Sequence, residues 1–150
     1  MPLVYLGLGT NLGNKEENIR RAVEEINRKI GKTISLSSFY ETEPWGFSSE
    51  NNFLNAAICV QTDLTPAEVL HISQSIEKEA GRTRKTTNRV YHDRIIDIDL
   101  LLYDSLIIRT AELTLPHPLM TERPFVMIPL AEIAPETIHP VYHKKLKEFL

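Results

Sequence analysis

Ile95-Ile96-Asp97-Ile98-Asp99-Leu100-Leu101-Leu102-Tyr103 is the stretch on which the fold turns. Its apolar residues run almost without interruption, which suits a central β-strand covered on both faces better than one with a wet side. Residues two apart on a strand project the same way, so Asp97 and Asp99 leave one face with Cα atoms roughly 7 Å apart. Two carboxylates among Ile and Leu are costly to bury unless something offsets their charge. A divalent cation does so, and magnesium, which prefers oxygen ligands and completes its shell with water and phosphate oxygens, is the natural choice. An ordinary ion network with Arg82, Arg84 or Arg94 is the alternative.

Upstream, Thr65, Pro66 and Glu68 mark the cap, first and third positions of a helix predicted over Pro66 to Ala80, with Gly81 as its stop. Ile34 to Thr42 and Phe53 to Thr62 alternate and are rich in β-branched and aromatic residues, which predicts two strands joined by a long connection containing Pro44-Trp45-Gly46. The second strand puts Leu54, Ala56, Ile58 and Val60 on one face and an exposed Phe53 and Asn55 pair on the other. Nearer the start, Leu3 to Leu8 reads as a buried strand ending in a tight loop, Gly7-Leu8-Gly9-Thr10-Asn11-Leu12-Gly13. Asn14 then caps a helix whose stripe is Ile19, Ala22, Val23, Ile26 and Ile30, with Gly31 ending it. The element order is βαββαβ. Downstream come a turn at Asp104-Ser105, a short strand near Leu106 to Ile108, and irregular backbone at Leu115-Pro116-His117-Pro118. A short helix over Val126 to Ile133, broken by Pro129, and a helical Lys144 to Leu150 complete the pattern.

Composition narrows the class. With 150 residues and 42% hydrophobic content, the chain suffices for one core and is expected to form one domain over 1–150. A net charge of −3 speaks against a general nucleic-acid binder, so any basic site must be local. Cys59 is the only cysteine, which rules out an intramolecular disulfide. No long apolar run suggests a membrane span and no basic leader is evident, so a cytoplasmic protein is expected, with a weak expectation of a monomer.

The segment from Arg82 to Arg94 gathers cations and reads as a polyphosphate clamp that closes over a nucleotide, or else as a solvated surface loop. Gly7-x-Gly9 fails the dinucleotide pattern because its third glycine position is Leu12, and no G-x-x-x-x-G-K-[ST] loop occurs. The glycines serve either close backbone approach near a site or turn geometry. His117, between two prolines, is a phosphate donor or a structural histidine. Arg123 and Phe125 offer one more phosphate contact and an aromatic wall. Cys59 shares a face with Phe53 and Asn55 but has no evident base beside it, so it is assigned to packing.

Taken together, Ser38-Phe39-Tyr40-Glu41-Thr42-Glu43-Pro44, Phe53-Leu54-Asn55-Ala56-Ala57, Glu77 to Arg84, Arg94-x-x-Asp97-x-Asp99 and Pro116-His117-Pro118 resemble the 6-hydroxymethyl-7,8-dihydropterin pyrophosphokinases over nearly the whole chain. The resemblance implies an α+β, ferredoxin-like antiparallel sheet with helices packed on it and a C-terminal extension. It further implies transfer of pyrophosphate from ATP to the pterin alcohol, giving the pterin diphosphate and AMP in folate biosynthesis. Asp97 and Asp99 would bind two magnesium ions (Mg2+), while Arg82, Arg84, Arg94, His117 and Arg123 would contact phosphates. Gln74 and Glu77 match positions near the nucleotide and its ribose, and Leu100, Leu113 and Thr114 match the adenine neighbourhood. The pterin would lie between Phe53 and Phe125, with Asn55 and the backbone around Thr42, Pro44 and Trp45 reading its polar edge. The chain departs from the family pattern in two places. Many members carry Trp-Gly-Pro before the arginine matched by Arg94, where this chain has Val90-Tyr91-His92-Asp93 in a slightly longer loop. Pro118 also replaces the tyrosine that often follows the histidine.

Overall fold

The computed structural model describes residues 1–43, 52–82 and 95–150, with only the backbone of Arg82. The expectations for Pro44, Trp45, Arg84, Arg94, Val90 to Asp93 and the Arg82 side chain lie outside the described residues. In chain order the elements are β1 (Leu3–Thr10), α1 (Lys15–Lys29), β2 (Gly31–Leu36), β3 (Tyr40–Thr42), β4 (Phe53–Thr62), α2 (Pro66–Arg82), β5 (Asp97–Tyr103), β6 (Ile108–Arg109), β7 (Thr114–Leu115) and α3 (Pro124–Ile133). The sheet runs β2-β4-β1-β5, all neighbours antiparallel, with β3 also paired to β4. Setting the short β3 aside, this is the ferredoxin-like βαββαβ order, in which β4 is inserted between β1 and β2.

Local chemistry explains most boundaries. The Asn14 side chain accepts from Glu17 N–H at 3.1 Å and starts α1. At α2, Thr65 and Glu68 exchange reciprocal bonds of 2.8 and 3.2 Å, which is the capping box read from the sequence. Gly13, at φ 68°, makes the turn between β1 and α1, and Asn18 Nδ2 braces that turn by donating to Thr10 Oγ1 (3.1 Å) and Leu12 O (2.7 Å).

One sheet face carries Val4, Leu6, Leu8, Ala56, Ile58, Val60, Ile98 and Leu100, and packs on Ile19, Ile26, Val69 and Ile76 of α1 and α2. The other carries Tyr5, Ala57, Cys59 and Leu102, and packs on Val126, Met127 and Leu130 of α3 together with Met120 and Leu146. The C-terminal extension is thus what buries the second face. Buried Cys59 belongs to this second core, and burial pushes its thiol pKa up, in keeping with a packing role.

Several expectations change. β5 pairs with β1 alone among the described residues and so ends the sheet, although its residues are buried on both faces. Burial on both faces, and not a central position, produces its apolar run. Its outer edge is covered by other groups: Ile98 N–H donates to Glu77 Oε2 (2.7 Å) and Leu101 O accepts from His117 N–H (3.0 Å). β1 continues through Gly7 and Gly9 to Thr10, so these glycines lie within a strand. The single strand expected over Ile34 to Thr42 is two, because Ser37 Oγ takes the Ala57 N–H (2.9 Å) and the chain leaves the ladder at Ser38 before re-pairing at Tyr40. A two-residue ladder, β6 with β7, follows the Asp104 turn. Helix α3 continues through Pro129, held by the burial of Val126, Met127, Pro129 and Leu130. The end of the chain forms only a 3-10 turn over Leu146–Phe149.

Of the two glycines expected to stop helices, Gly31 directly follows the Ile30 cap at which α1 ends, as expected, but Gly81 does not stop α2. Gly31 opens β2, where a Cβ would overlap the Gln61 carbonyl of β4, whereas Gly81 lies within α2 and a Cβ there meets nothing within 4 Å. Gly31→Ala is therefore expected to cost about 3 kcal/mol by forcing β2 from β4, and Gly81→Ala to add about 0.5 to 1 kcal/mol. Urea unfolding of the two variants checks this; equal effects, or a stable Gly31→Ala, would contradict the close approach.

Candidate active site

Register turns the strand pattern into a site. Gly9 pairs with Asn55 on one side and Asp97 on the other, and Gly7 pairs with Ala57 and Asp99. Paired residues share a face, so Asn55, Gly9 and Asp97 form one cross-strand row and Ala57, Gly7 and Asp99 the next. Because β1 contributes only hydrogens to these rows, a trough two strand spacings wide, roughly 10 Å, separates Asn55 from Asp97. It opens on the sheet face that α3 covers further along. A Cβ on Gly9 would lie 3.3 Å from Asn55 Oδ1 and 3.7 Å from Phe53 Cδ1, and one on Gly7 would lie 3.4 Å from Leu101 Cδ1. Of the two readings the sequence leaves for these glycines, the structure matches close backbone approach and not turn geometry, but within β1 in place of a loop.

On the β4 side, Asn55 is buried, not exposed as the alternation suggested, with relative exposure of only 4%. Its Nδ2 donates to Thr42 Oγ1 (2.7 Å) and to Tyr40 O (3.4 Å), which turns Oδ1 toward the trough. Phe53, paired with Thr42, is half-buried beside it. Lys15 Nζ donates to Asn52 O (3.1 Å) and fixes the start of β4 to the head of α1.

On the β5 side, Asp97 and Asp99 are both half-buried, while Ile98 and Leu100 point into the opposite core. Glu77 of α2 reaches this edge, and its carboxyl is pushed up to about 7, first by burial and then by the adjacent Asp97 and, further down, Asp99. Three acids therefore concentrate negative charge here, although among the described residues no group of three or more His, Cys, Asp or Glu is arranged to hold a metal ion. A cation on the aspartate pair would need water or ligand oxygens to fill its shell, which is how magnesium is usually held.

His117 faces the same charge. Burial lowers its pKa, Arg123 lowers it further, and Asp97 opposes both. Its Nδ1 accepts from Leu119 N–H (3.3 Å), so the neutral ring carries its proton on Nε2. The Arg123 guanidinium lies 5.8 Å from the centroid of Phe125, the second residue of α3. Gln74 is exposed on α2, one turn before Glu77. Leu113 packs against the first core, and Thr114 is exposed on β7. Leu100 is buried with its side chain in that core, so only its backbone can meet a ligand.

A carboxyl whose folded pKa lies above its unfolded value favours folding least when ionised, so its contribution to stability falls as pH rises from about 4.5 through 7. In metal-free protein, Glu77→Gln should be more stable than wild type by on the order of 2 kcal/mol at pH 8, allowing for partial solvation, and no more stable at pH 4. Thermal melts in EDTA across this range measure the difference; a pH-independent one would contradict the strained carboxylate.

The model of the family described as 7,8-dihydro-6-hydroxymethylpterin-pyrophosphokinase (HPPK) matches residues 5–135. The chain is 48% identical over 141 residues to the 2-amino-4-hydroxy-6-hydroxymethyldihydropteridine pyrophosphokinase of Porphyromonas gingivalis, covering 93% of this chain and 95% of that one. It is 42% identical to the Aquifex aeolicus enzyme of the same name over 149 residues, 99% of this chain and 91% of that one. Among solved structures, wild-type HPPK-DHPS from Plasmodium falciparum superposes with a TM-score of 0.76 at 16% identity over 99% of this chain. The chain spans 44% of that solved chain, and the likeness speaks to the fold.

Proposed function

Because the chain belongs to the 7,8-dihydro-6-hydroxymethylpterin-pyrophosphokinase family and is a pyrophosphokinase of folate biosynthesis, we propose that its trough seats ATP at the β5 side and 6-hydroxymethyl-7,8-dihydropterin at the β4 side. The hydroxymethyl oxygen then attacks the β-phosphorus of ATP in line. A new O–P bond forms, the hydroxyl proton is lost to water, the bond from the α,β-bridging oxygen to the β-phosphorus breaks, and AMP departs with that oxygen. The observation that carries this reading is the row Asn55, Gly9, Asp97, which sets an amide and a carboxylate at the two rims of one side-chain-free floor.

The chain's own groups divide the work. Phe53 and Phe125 offer the faces of a sandwich for a flat ring, and Asn55 Oδ1 is aimed to accept from the ring's N–H edge while Thr42 holds the amide. The backbone around Pro44 and Trp45 would complete that edge. His117 Nε2–H is a neutral donor to a phosphate oxygen, and Arg82, Arg84, Arg94 and Arg123 would meet the triphosphate as bidentate cations. Gln74 and Glu77 would face the ribose, with Leu113, Thr114 and the Leu100 backbone near the adenine.

Two magnesium ions belong to the proposal. The half-buried carboxylates of Asp97 and Asp99, which leave one strand face together, with the Glu77 carboxyl beside them, would hold such ions. When bound, they supply neutralisation of the charge that develops on the phosphates. The protein positions both substrates and needs no covalent intermediate of its own.

Incubation with magnesium, ATP and the pterin should yield AMP and no ADP. AMP that fails to form, or forms equally without the pterin, would refute the proposal. Asp97→Ala and Asp99→Ala should each lower turnover by at least about a hundredfold; near-normal rates in both would remove them from the mechanism. Gly9→Val should fill the floor and raise the pterin KM by about tenfold or more, with an unchanged value counting against a shared trough.

A further inference from the structure

The Glu132 carboxylate is tied to the β2–β3 break, far from it in sequence. Ser38 N–H donates to both its oxygens (3.0 and 3.1 Å), Ser38 Oγ donates to Oε2 (3.1 Å), and the Tyr40 hydroxyl donates to Oε1 (2.5 Å). These donors hold the carboxyl below its usual range, the tyrosine being the largest influence. Glu132 is exposed, so no buried charge demands these partners. Their value lies in what they connect.

Glu132 sits near the end of α3 and Phe125 at its start, seven residues apart. Two helical turns place them on one side of the helix, about 10 Å apart along the axis. At the other end of the contact, Tyr40 is paired with Asn55, its carbonyl accepts from Asn55 Nδ2, and Asn55 Nδ2 also bonds Thr42. The sequence of contacts is therefore α3, Glu132, Tyr40, Asn55, with Phe125 on the same helix.

We propose that Glu132 is a positioning residue for pterin recognition, a strut that sets the distance and rotation between the wall bearing Phe125 and the rim bearing Thr42, Phe53 and Asn55. It touches neither substrate. It fixes the two halves of the ring slot relative to each other, and this rests on the pterin reading of the trough given above. A carboxylate suits the task because it accepts from three donors on two residues at once, which an amide of the same shape cannot match. Without it, α3 and β3 remain packed on the sheet but lose their common register, so the slot widens while the nucleotide side, built on β5, α2 and the segment at His117, is untouched.

The test measures steady-state KM for pterin and for ATP separately, with magnesium, in wild type, Glu132→Ala, Glu132→Gln, Tyr40→Phe and the Glu132→Ala/Tyr40→Phe pair. Glu132→Ala should raise the pterin KM about tenfold and leave the ATP KM within about twofold, with Glu132→Gln in between. Tyr40→Phe should raise the pterin KM about threefold alone and add nothing to Glu132→Ala, as two members of one strut must. A pterin KM within twofold of wild type, parallel rises in both KM values, or additive effects in the pair would overturn the strut. Should Glu132→Ala fail to fold, Tyr40→Phe and Ser38→Ala, each removing a donor and leaving the carboxylate, apply the same criterion. Wild-type protein that makes no AMP from the pterin would instead sink the substrate reading, so the two failures are told apart.

Discussion

Two strand positions that carry hydrogen in place of a side chain, Gly7 and Gly9, govern the rest of the site. β1 is hydrogen-bonded on both sides, to β4 and to β5, so its register fixes which residues of those strands face each other. Any side chain at Gly9 would meet Asn55 and Phe53 at contact distance. With none there, an amide on one strand and a carboxylate two strands away overlook the same floor. Sheet hydrogen bonding therefore sets the spacing of the site, and flexible loops do not have to reproduce it.

The electrostatics follow from that placement. Asp97, Asp99 and Glu77 lie at the end of the sheet where β5 has no further strand partner among the described residues. Glu77 is held partly protonated by its surroundings, and His117 and Arg123 bring donors and positive charge to the same place. The acids are hard to accommodate without a counter-charge, which is the general reason that functional sites depart from stability optima. The opposite sheet face, filled by Ile and Leu against α1 and α2, carries none of this tension.

Strand periodicity made much of this legible. Asp97 with Asp99, and Phe53 with Asn55, share faces because side chains alternate, and that needs no tertiary information. The helix caps at Asn14 and Thr65 were equally plain, since a cap is chemistry between residues three apart. What escaped depended on distant partners. Glycine at the end of a strand ordinarily announces a turn, so sequence alone leaves Gly7 and Gly9 between turn geometry and close backbone approach; only their pairing with β4 and β5 shows them as a floor. The apolar run of β5 reports burial, which an edge strand between two cores shares with a central one. Gly31 follows the Ile30 cap at which α1 ends, and it also admits the β4 backbone, a demand its neighbours in sequence do not announce; Pro129 breaks no helix because the second core surrounds it. Glu132 carried no local signal at all, lying more than 90 residues from its partners. The assignments of Gln74, Leu113 and Thr114 came from resemblance alone, as nothing in their spacing singles them out.

In the proposed mechanism the carboxylates of Asp97 and Asp99 and the ring slot face a single trough. Manganese, bound in place of magnesium with ATP present, would broaden and relax the proton signals of bound pterin according to distance. Enhancement steepest at the hydroxymethyl protons and weaker toward the far end of the ring is the result the account predicts. Equal or absent enhancement, or a gradient that runs the other way, would place the pterin elsewhere and contradict it.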